Sequence, residues 1–239
     1  VQRAELDLLK ELNQLGLDEH GPNAALEGRI ETFELAFRMQ GVAPDVMDLG
    51  NETKATTQMY GLDDSVTENF GRQCLLARRF SERGVRFVQC THSYKWDQHG
   101  NLEAAHRNNA REVDTGIAAL ITDLKNRGML EDTLVIWGGE FGRTNYCQGK
   151  LSAKDFGRDH HPKCYSLWMA GGGIKGGTEY GQTDDFGYNI IENGVHVHDF
   201  HATLMHLLGI DHKRLTFRYQ GRRFRLTDVH GHIVKDIIS

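Results

Sequence analysis

Long apolar runs are missing from this sequence, and no stretch approaches the ~20 residues that would cross a bilayer as a helix. A membrane span is therefore not expected. A concentrated basic face is missing too. The 28 Lys and Arg residues are scattered apart from short clusters such as GRRFR (221–225), and 33 acidic residues leave a net charge of −5. That distribution argues against a nucleic-acid partner. The four cysteines (Cys74, Cys90, Cys147 and Cys164) contain no C-x-x-C spacing. They allow three disulfide pairings, among which sequence does not choose. No leader peptide is visible. The chain opens on Val1, inside a helical pattern, and is expected to lack its true N-terminus.

What is present is 39% hydrophobic residues, enough for one sizeable core, and thirteen histidines. Histidine is the commonest metal ligand and also an ordinary polar residue, so position has to decide its role.

The periodicity predicts two amphipathic helices over 3–16 and 24–41, stopped by Gly16 and Gly41 and joined by the turn GPN (21–23). An irregular connector with Pro44 covers 42–64. A helix over 67–83 ends at Gly84. From there the character changes. Buried strands are expected at VRFVQCT (85–91), TLVIWG (133–138) and CYSLWMAG (164–171). Long helices are expected over 101–128 and 198–209, and a C-terminal hairpin turning near Asp228–Gly231. Apolar strands alternating with helices predict an α/β fold, a mostly parallel sheet sandwiched by helices. The organisation expected is a helical hairpin and connector over 1–64 followed by a sheet core with its loops over 65–239. In such sheets, sites form beyond the carboxyl ends of the strands.

Three polar clusters stand at those expected ends: Asp97 and His99 in WDQHGN, Glu140 and Arg143 in GGEFGR, and Arg158, Asp159, His160 and His161 in GRDHHP. Carboxylates with two or three histidines suit zinc or another divalent metal, and arginines suit an anion. Each cluster also has an ordinary structural account. Asp97 and His99 fit turn chemistry, Glu140 fits a cap with Arg143 as its ion-pair partner, and DHHP fits a surface loop. Two further motifs are weaker. GGGIKG (171–176) imitates a dinucleotide fingerprint but opens no helix. His198 and His201 lie on what is first a packing helix, with Asp199 as a candidate cap.

The stretches WDQHGN…EVDTGIAALITDLKNRGMLEDTLVIWGGEFGRT, GRDHHP…YSLWMAGGGIKGG and VHDFHATLMHLLGID closely resemble a bacterial sulfatase-like family. It is known as domain-of-unknown-function family 1501, within the alkaline phosphatase superfamily. The resemblance covers essentially the whole chain, which looks like the C-terminal portion of longer relatives that carry the nucleophile in an earlier βα segment. It implies an alkaline phosphatase-like fold and a hydrolase of sulfate or phosphate esters. It also implies a divalent metal, zinc preferred over manganese, magnesium or calcium, and a small-molecule or carbohydrate ester substrate. Phosphatase or phosphomutase chemistry, and a non-catalytic metal- or glycan-binding module, are the alternatives. Asp97, His99 and His160 are then the implied ligands of one metal, with His161, His198 and His201 as lesser candidates. Glu140 takes the place of the superfamily's second-metal aspartate. Phe141 stands where a histidine would follow it, and cannot ligate. Arg143 and Arg158 are the implied grips on the ester oxygens. Relatives often carry an export signal, which implies a periplasmic or extracytoplasmic protein.

Overall fold

The computed structural model describes residues 2–93, 95–147, 149 and 151–239, in two compact units, Val1–Thr53 and Lys54–Ser239. The first unit holds helices α1 (Gln2–His20) and α2 (Ala24–Met47). Gly21, at φ 82°, ends α1, and the Asn23 side chain caps α2 by accepting from the Leu26 N–H at 3.1 Å. Both helices overrun the glycines expected to stop them. A Cβ at Gly16 or Gly41 would meet nothing within 4 Å. An interior glycine costs only about 1 kcal/mol, which the rest of a long helix absorbs. Pro44 lies inside the last turn of α2, so the connector expected over 42–64 begins only at residue 48.

The second unit is built around α3 (Lys54–Met59), α4 (Glu68–Glu82) and α5 (Leu102–Asn126). The last two match the amphipathic patterns closely, and Gly84 turns out of α4 with φ 80°. Helices α4 and α5 approach closely at paired glycines: a Cβ on Gly116 would sit 3.1 Å from Gly71 Cα. The same helices bury a polar network beside their apolar side chains, Leu75, Val113 and Leu124 among them. Arg78, 2% exposed, places Nε 3.0 Å from Asp123 Oδ2 and donates from Nη1 to Glu82 at 2.7 Å. Tyr60, fully buried, donates to the same Asp123 oxygen at 3.1 Å, and Arg127 Nε donates to Asp123 Oδ1 at 2.8 Å. Burial, reinforced by the Asp123 charge, pushes the Tyr60 hydroxyl well above its ordinary range, so it acts only as a donor here.

The strands are short and paired in twos: β1 (Val135–Trp137) with β4 (Trp168–Ala170), β2 (Gly142–Arg143) with β3 (His160–His161), and β5 (Gln182–Thr183) with β6 (Ile190–Glu192). After helix α6 (Val197–Leu207), β7 (Thr216–Tyr219) pairs with β8 (Arg222–Arg225). All four ladders are antiparallel. The expectation was a mostly parallel sheet, and no parallel pair occurs among the described residues. Residues 85–91, expected as a strand, lie outside any ladder with a bend at Arg86, and Phe87 is 81% exposed. An apolar run makes a strand only where a partner supplies the other half of its hydrogen bonds. The hairpin forms earlier than expected, turning at Gln220 and Gly221, both with positive φ. Asp199 is not the N-cap of α6. His196 is, and Asp199 closes a reciprocal capping box by accepting from the His196 N–H.

The Asp123 network carries a direct expectation. Asp123→Ala leaves a buried guanidinium and a buried hydroxyl short of their acceptor, and should cost about 3–5 kcal/mol. Urea unfolding followed by circular dichroism measures it; a loss below about 1 kcal/mol would show that the buried network contributes little.

Candidate metal centre

Three segments converge here: the loop 92–101 leading into α5, strand β2, and strand β3. The loop is fastened to α5 by side chains. Glu112 accepts from His92 Nε2 at 2.9 Å and from Lys95 Nζ. Lys95 and His92 hold the Glu112 carboxyl below the usual glutamate range. His92 Nδ1 accepts from Trp96 Nε1 at 2.8 Å, which places the neutral ring's proton on Nε2, facing Glu112. Asn109, one turn earlier on α5, donates to the Lys95 carbonyl at 2.6 Å. An aromatic cluster backs this anchor, with Trp96 edge-on to Trp137 at 5.9 Å and to His106 at 5.3 Å, and Phe70 edge-on to His92 at 5.5 Å.

The segment 155–160 then crosses the loop in backbone contact. Leu102 N donates to Phe156 O at 3.0 Å and Arg158 N to Gln98 O at 2.9 Å, while Asp155 Oδ1 accepts from Asn101 N at 2.8 Å. Gly157 makes the crossing feasible, since a Cβ there would fall 2.0 Å from the His99 carbonyl carbon. Thr144 and Asp159 exchange two further bonds, Thr144 N to Asp159 O at 2.8 Å and Asp159 N to Thr144 Oγ1 at 2.9 Å.

In the β2–β3 ladder Arg143 faces His160 across the strands and Gly142 faces His161. Alternation along a strand sends the two histidines to opposite faces. His160 Nε2 lies 2.8 Å from Asp97 Oδ1 and 3.2 Å from His99 Nε2, and His99 Nε2 is 3.2 Å from the same carboxylate oxygen. Asp97, His99 and His160 thus offer one nitrogen or oxygen each around a common point open to solvent. The hydrogen bond from His160, helped by the charges of both imidazoles and of Arg143, holds the Asp97 carboxyl below its ordinary range. His161 faces away, 6% exposed, with Nε2 2.6 Å from the Tyr188 carbonyl and its ring stacked on Tyr188 at 4.2 Å. His198 and His201 lie on α6, outside this cluster. His198 stacks on His230 at 5.3 Å, and His201 Nδ1 contacts the Val197 carbonyl at 2.8 Å.

Glu140 is not one of the converging ligands. Arg143 Nη2 stands between the carboxylates, 3.2 Å from Glu140 Oε1 and 3.5 Å from Asp97 Oδ1. Glu140's own N–H, together with Arg143, keeps its carboxyl below the usual glutamate range. The ion-pair account of Glu140 and Arg143 is therefore realised, at the rim of the cluster. Phe141 packs its ring on His160 at 4.7 Å and under the Arg143 guanidinium at 5.0 Å. Beside the cluster, Arg143 and Arg158 line a cavity of about 190 Å³ with Trp96, Gln98, Leu102 and His106. Two polar atoms in this region, Arg143 Nε and Gln98 Oε1, are buried without a hydrogen-bond partner.

Sequence reasoning missed Glu112, Asn109, His92 and Trp96, the residues that hold the loop. A trace was present: Asn109 and Glu112 are three apart, on one face of a helix that immediately follows the loop. Sequence reasoning also missed Gln98, whose backbone carbonyl accepts from Arg158 N and whose Nε2 donates to the Lys95 carbonyl.

Residues 1–238 match the family described as Protein of unknown function (DUF1501), and the chain belongs to it. No curated protein and no solved structure matches the chain. No described helix is long and apolar enough to cross a membrane.

The loop anchor has a measurable pH dependence. Since Glu112 is depressed in the folded protein, its hold is fully present above the ordinary glutamate value of about 4.3 and is lost as pH falls through its lower folded value. The Trp96 indole N–H resonance should move toward its solvent-exposed position over that acid range. In Glu112→Gln it should already be displaced at neutral pH. An unmoved resonance in that variant would mean the aromatic cluster, not the carboxylate, holds the loop.

Proposed function

We propose that this chain carries the metal-binding part of a metal-dependent hydrolase of sulfate or phosphate esters. The observation that supports it is the triangle of Asp97 Oδ1, His99 Nε2 and His160 Nε2, with edges of 2.8, 3.2 and 3.2 Å. Tetrahedral zinc with bonds of about 2.0–2.1 Å has ligand–ligand edges of about 3.3–3.4 Å, so a small expansion of this triangle fits the ion and leaves a fourth position open. Two imidazoles and one carboxylate favour zinc, then manganese, over the all-oxygen preferences of magnesium and calcium. A bound metal would supply Lewis acidity toward an ester oxygen.

The remaining roles belong to the chain's own residues. Arg143 and Arg158, on the adjacent cavity, are suited to binding two oxygens of an anionic ester, and the unpartnered Arg143 Nε is a donor in need of an acceptor. Phe141 steadies both the His160 ring and the Arg143 guanidinium. The ester's carbon skeleton, small-molecule or carbohydrate, lies outward, where the site is open. Sulfatase, phosphatase and phosphomutase chemistry share this requirement for a metal next to arginine. Extracytoplasmic residence belongs to the same reading through the family resemblance. So does an alkaline phosphatase-like fold, which rests on the family resemblance and not on the four antiparallel ladders.

A second reading, a metal- or glycan-binding module without turnover, is favoured by Phe141, which puts a ring where a second metal's ligand would be needed. Purified protein should take up close to one equivalent of zinc by calorimetry, with Asp97→Ala and His160→Ala weakening it at least 100-fold. Because ligating imidazoles must be unprotonated, uptake should decline below about pH 6. Equal uptake by wild type and both variants would sink the metal site. Zinc-loaded protein inert toward aryl phosphates and aryl sulfates would favour the module over the hydrolase.

A further inference from the structure

Among the four cysteines, Cys90 is placed against the turn of α4 that carries Cys74. Cys74 lies on the buried face of α4, 1% exposed. Cys90, half-buried, lies near the end of the segment 85–91. Two contacts bind this segment to the helix beside Cys74: Cys90 Sγ donates to the Gln73 carbonyl at 3.5 Å, and the Thr91 N–H donates to Gln73 Oε1 at 3.0 Å. The two thiols lie near enough to influence each other's ionisation. None of the four cysteines is in a disulfide in this structure.

We propose that Cys74 and Cys90 are a redox pair, closing to a disulfide that fastens the 85–91 segment to α4. The segment leads directly into the loop that carries His92, Trp96, Asp97 and His99, so the bond would clamp the approach to the candidate site. It is independent of whether that site holds a metal.

The two sulfurs are unequal. Interaction with Cys74 favours the thiolate of Cys90, and interaction with Cys90 together with burial disfavours the thiolate of Cys74. Cys90, the more exposed, is therefore the attacking sulfur. The oxidant is a disulfide donor, either a small-molecule disulfide or a disulfide oxidoreductase. Cys90 thiolate attacks one donor sulfur, the donor S–S bond breaks, and its other sulfur leaves as a thiolate. Cys74 then loses its proton and attacks Cys90 Sγ, releasing the second donor sulfur as a thiolate. Two protein thiols are oxidised to one disulfide, the donor is reduced to two thiols, and the two protein protons pass to the departing sulfurs.

Incubating the full chain with oxidised glutathione, then mapping peptides without reduction, should yield a cross-link between the peptides holding Cys74 and Cys90. Two of four thiols should vanish on titration in denaturant, and the melting temperature should rise by about 5–10 °C over the reduced protein. Cys90→Ser, at the more exposed sulfur, should fold and lose both the cross-link and the rise. Cys147→Ser should keep both. The proposal is overturned if Cys74 and Cys90 both remain thiols under the donor, if either is joined to Cys147 or Cys164, or if folded Cys90→Ser still gains stability on oxidation.

Discussion

The grip of Glu112 on His92 and Lys95 is the interaction on which the candidate site depends. Ordering the glycine-bearing loop 92–101 costs roughly 1–2 kcal/mol per residue, and Glu112 fixes its first half while Asn109 and the crossing segment 155–160 hold the rest. Glu112 is well placed because α5 is rigid and packs against α4 through the Gly71–Gly116 approach. The carboxylate selects the His92 tautomer, that tautomer accepts from Trp96, and Trp96 wedges between His106 and Trp137. Position is thus passed from a helix to an indole ring and on to Asp97, the next residue. Each link is a polar group satisfied in a part-buried setting, where leaving it unpaired would be costly.

A second constraint is the two-residue ladder β2–β3. Short as it is, it decides which of two neighbouring histidines joins the cluster, because its register sets His160 opposite Arg143 and buries His161 against Tyr188. The close approach of Gly142 to the Cys164 carbonyl, 1.8 Å from where a Cβ would stand, and of Gly157 to His99 brings the strands and the loop within side-chain reach. Backbone proximity, not side-chain length, assembles the triangle.

How much of this was legible in the sequence follows from what each signal needs. The patterns of α4, α5 and α6 are long and periodic, and amphipathic helices declare themselves locally. The ends of α1 and α2 were misjudged because glycine alone is a weak stop when nothing else competes for its backbone. The run 85–91 read as a strand because apolar β-branched sequence is compatible with one, but pairing is a property of two segments and only one was visible. Asp97, His99, His160 and Arg143 were each found from loop chemistry and resemblance, yet their convergence depends on a crossing at Gly157 that no local pattern encodes. Glu140 shows the converse. Its place in the chain suggested a ligand, while its geometry makes it the outer partner of Arg143.

That geometry bears on how many metal ions the proposed site could accept. In a two-metal centre a second ion neutralises the carboxylates that face each other across it. Here the Arg143 guanidinium lies between Asp97 and Glu140, within 3.5 Å of both, and is backed by the Phe141 ring. A second dication placed there would meet a fixed positive charge only a few ångströms away, a repulsion on the order of several kcal/mol even at an effective dielectric of 20. Phe141 is then not simply a missing ligand. Its ring contacts both the guanidinium and the His160 ring, so the residue that cannot bind a metal helps hold a permanent cation between the two carboxylates.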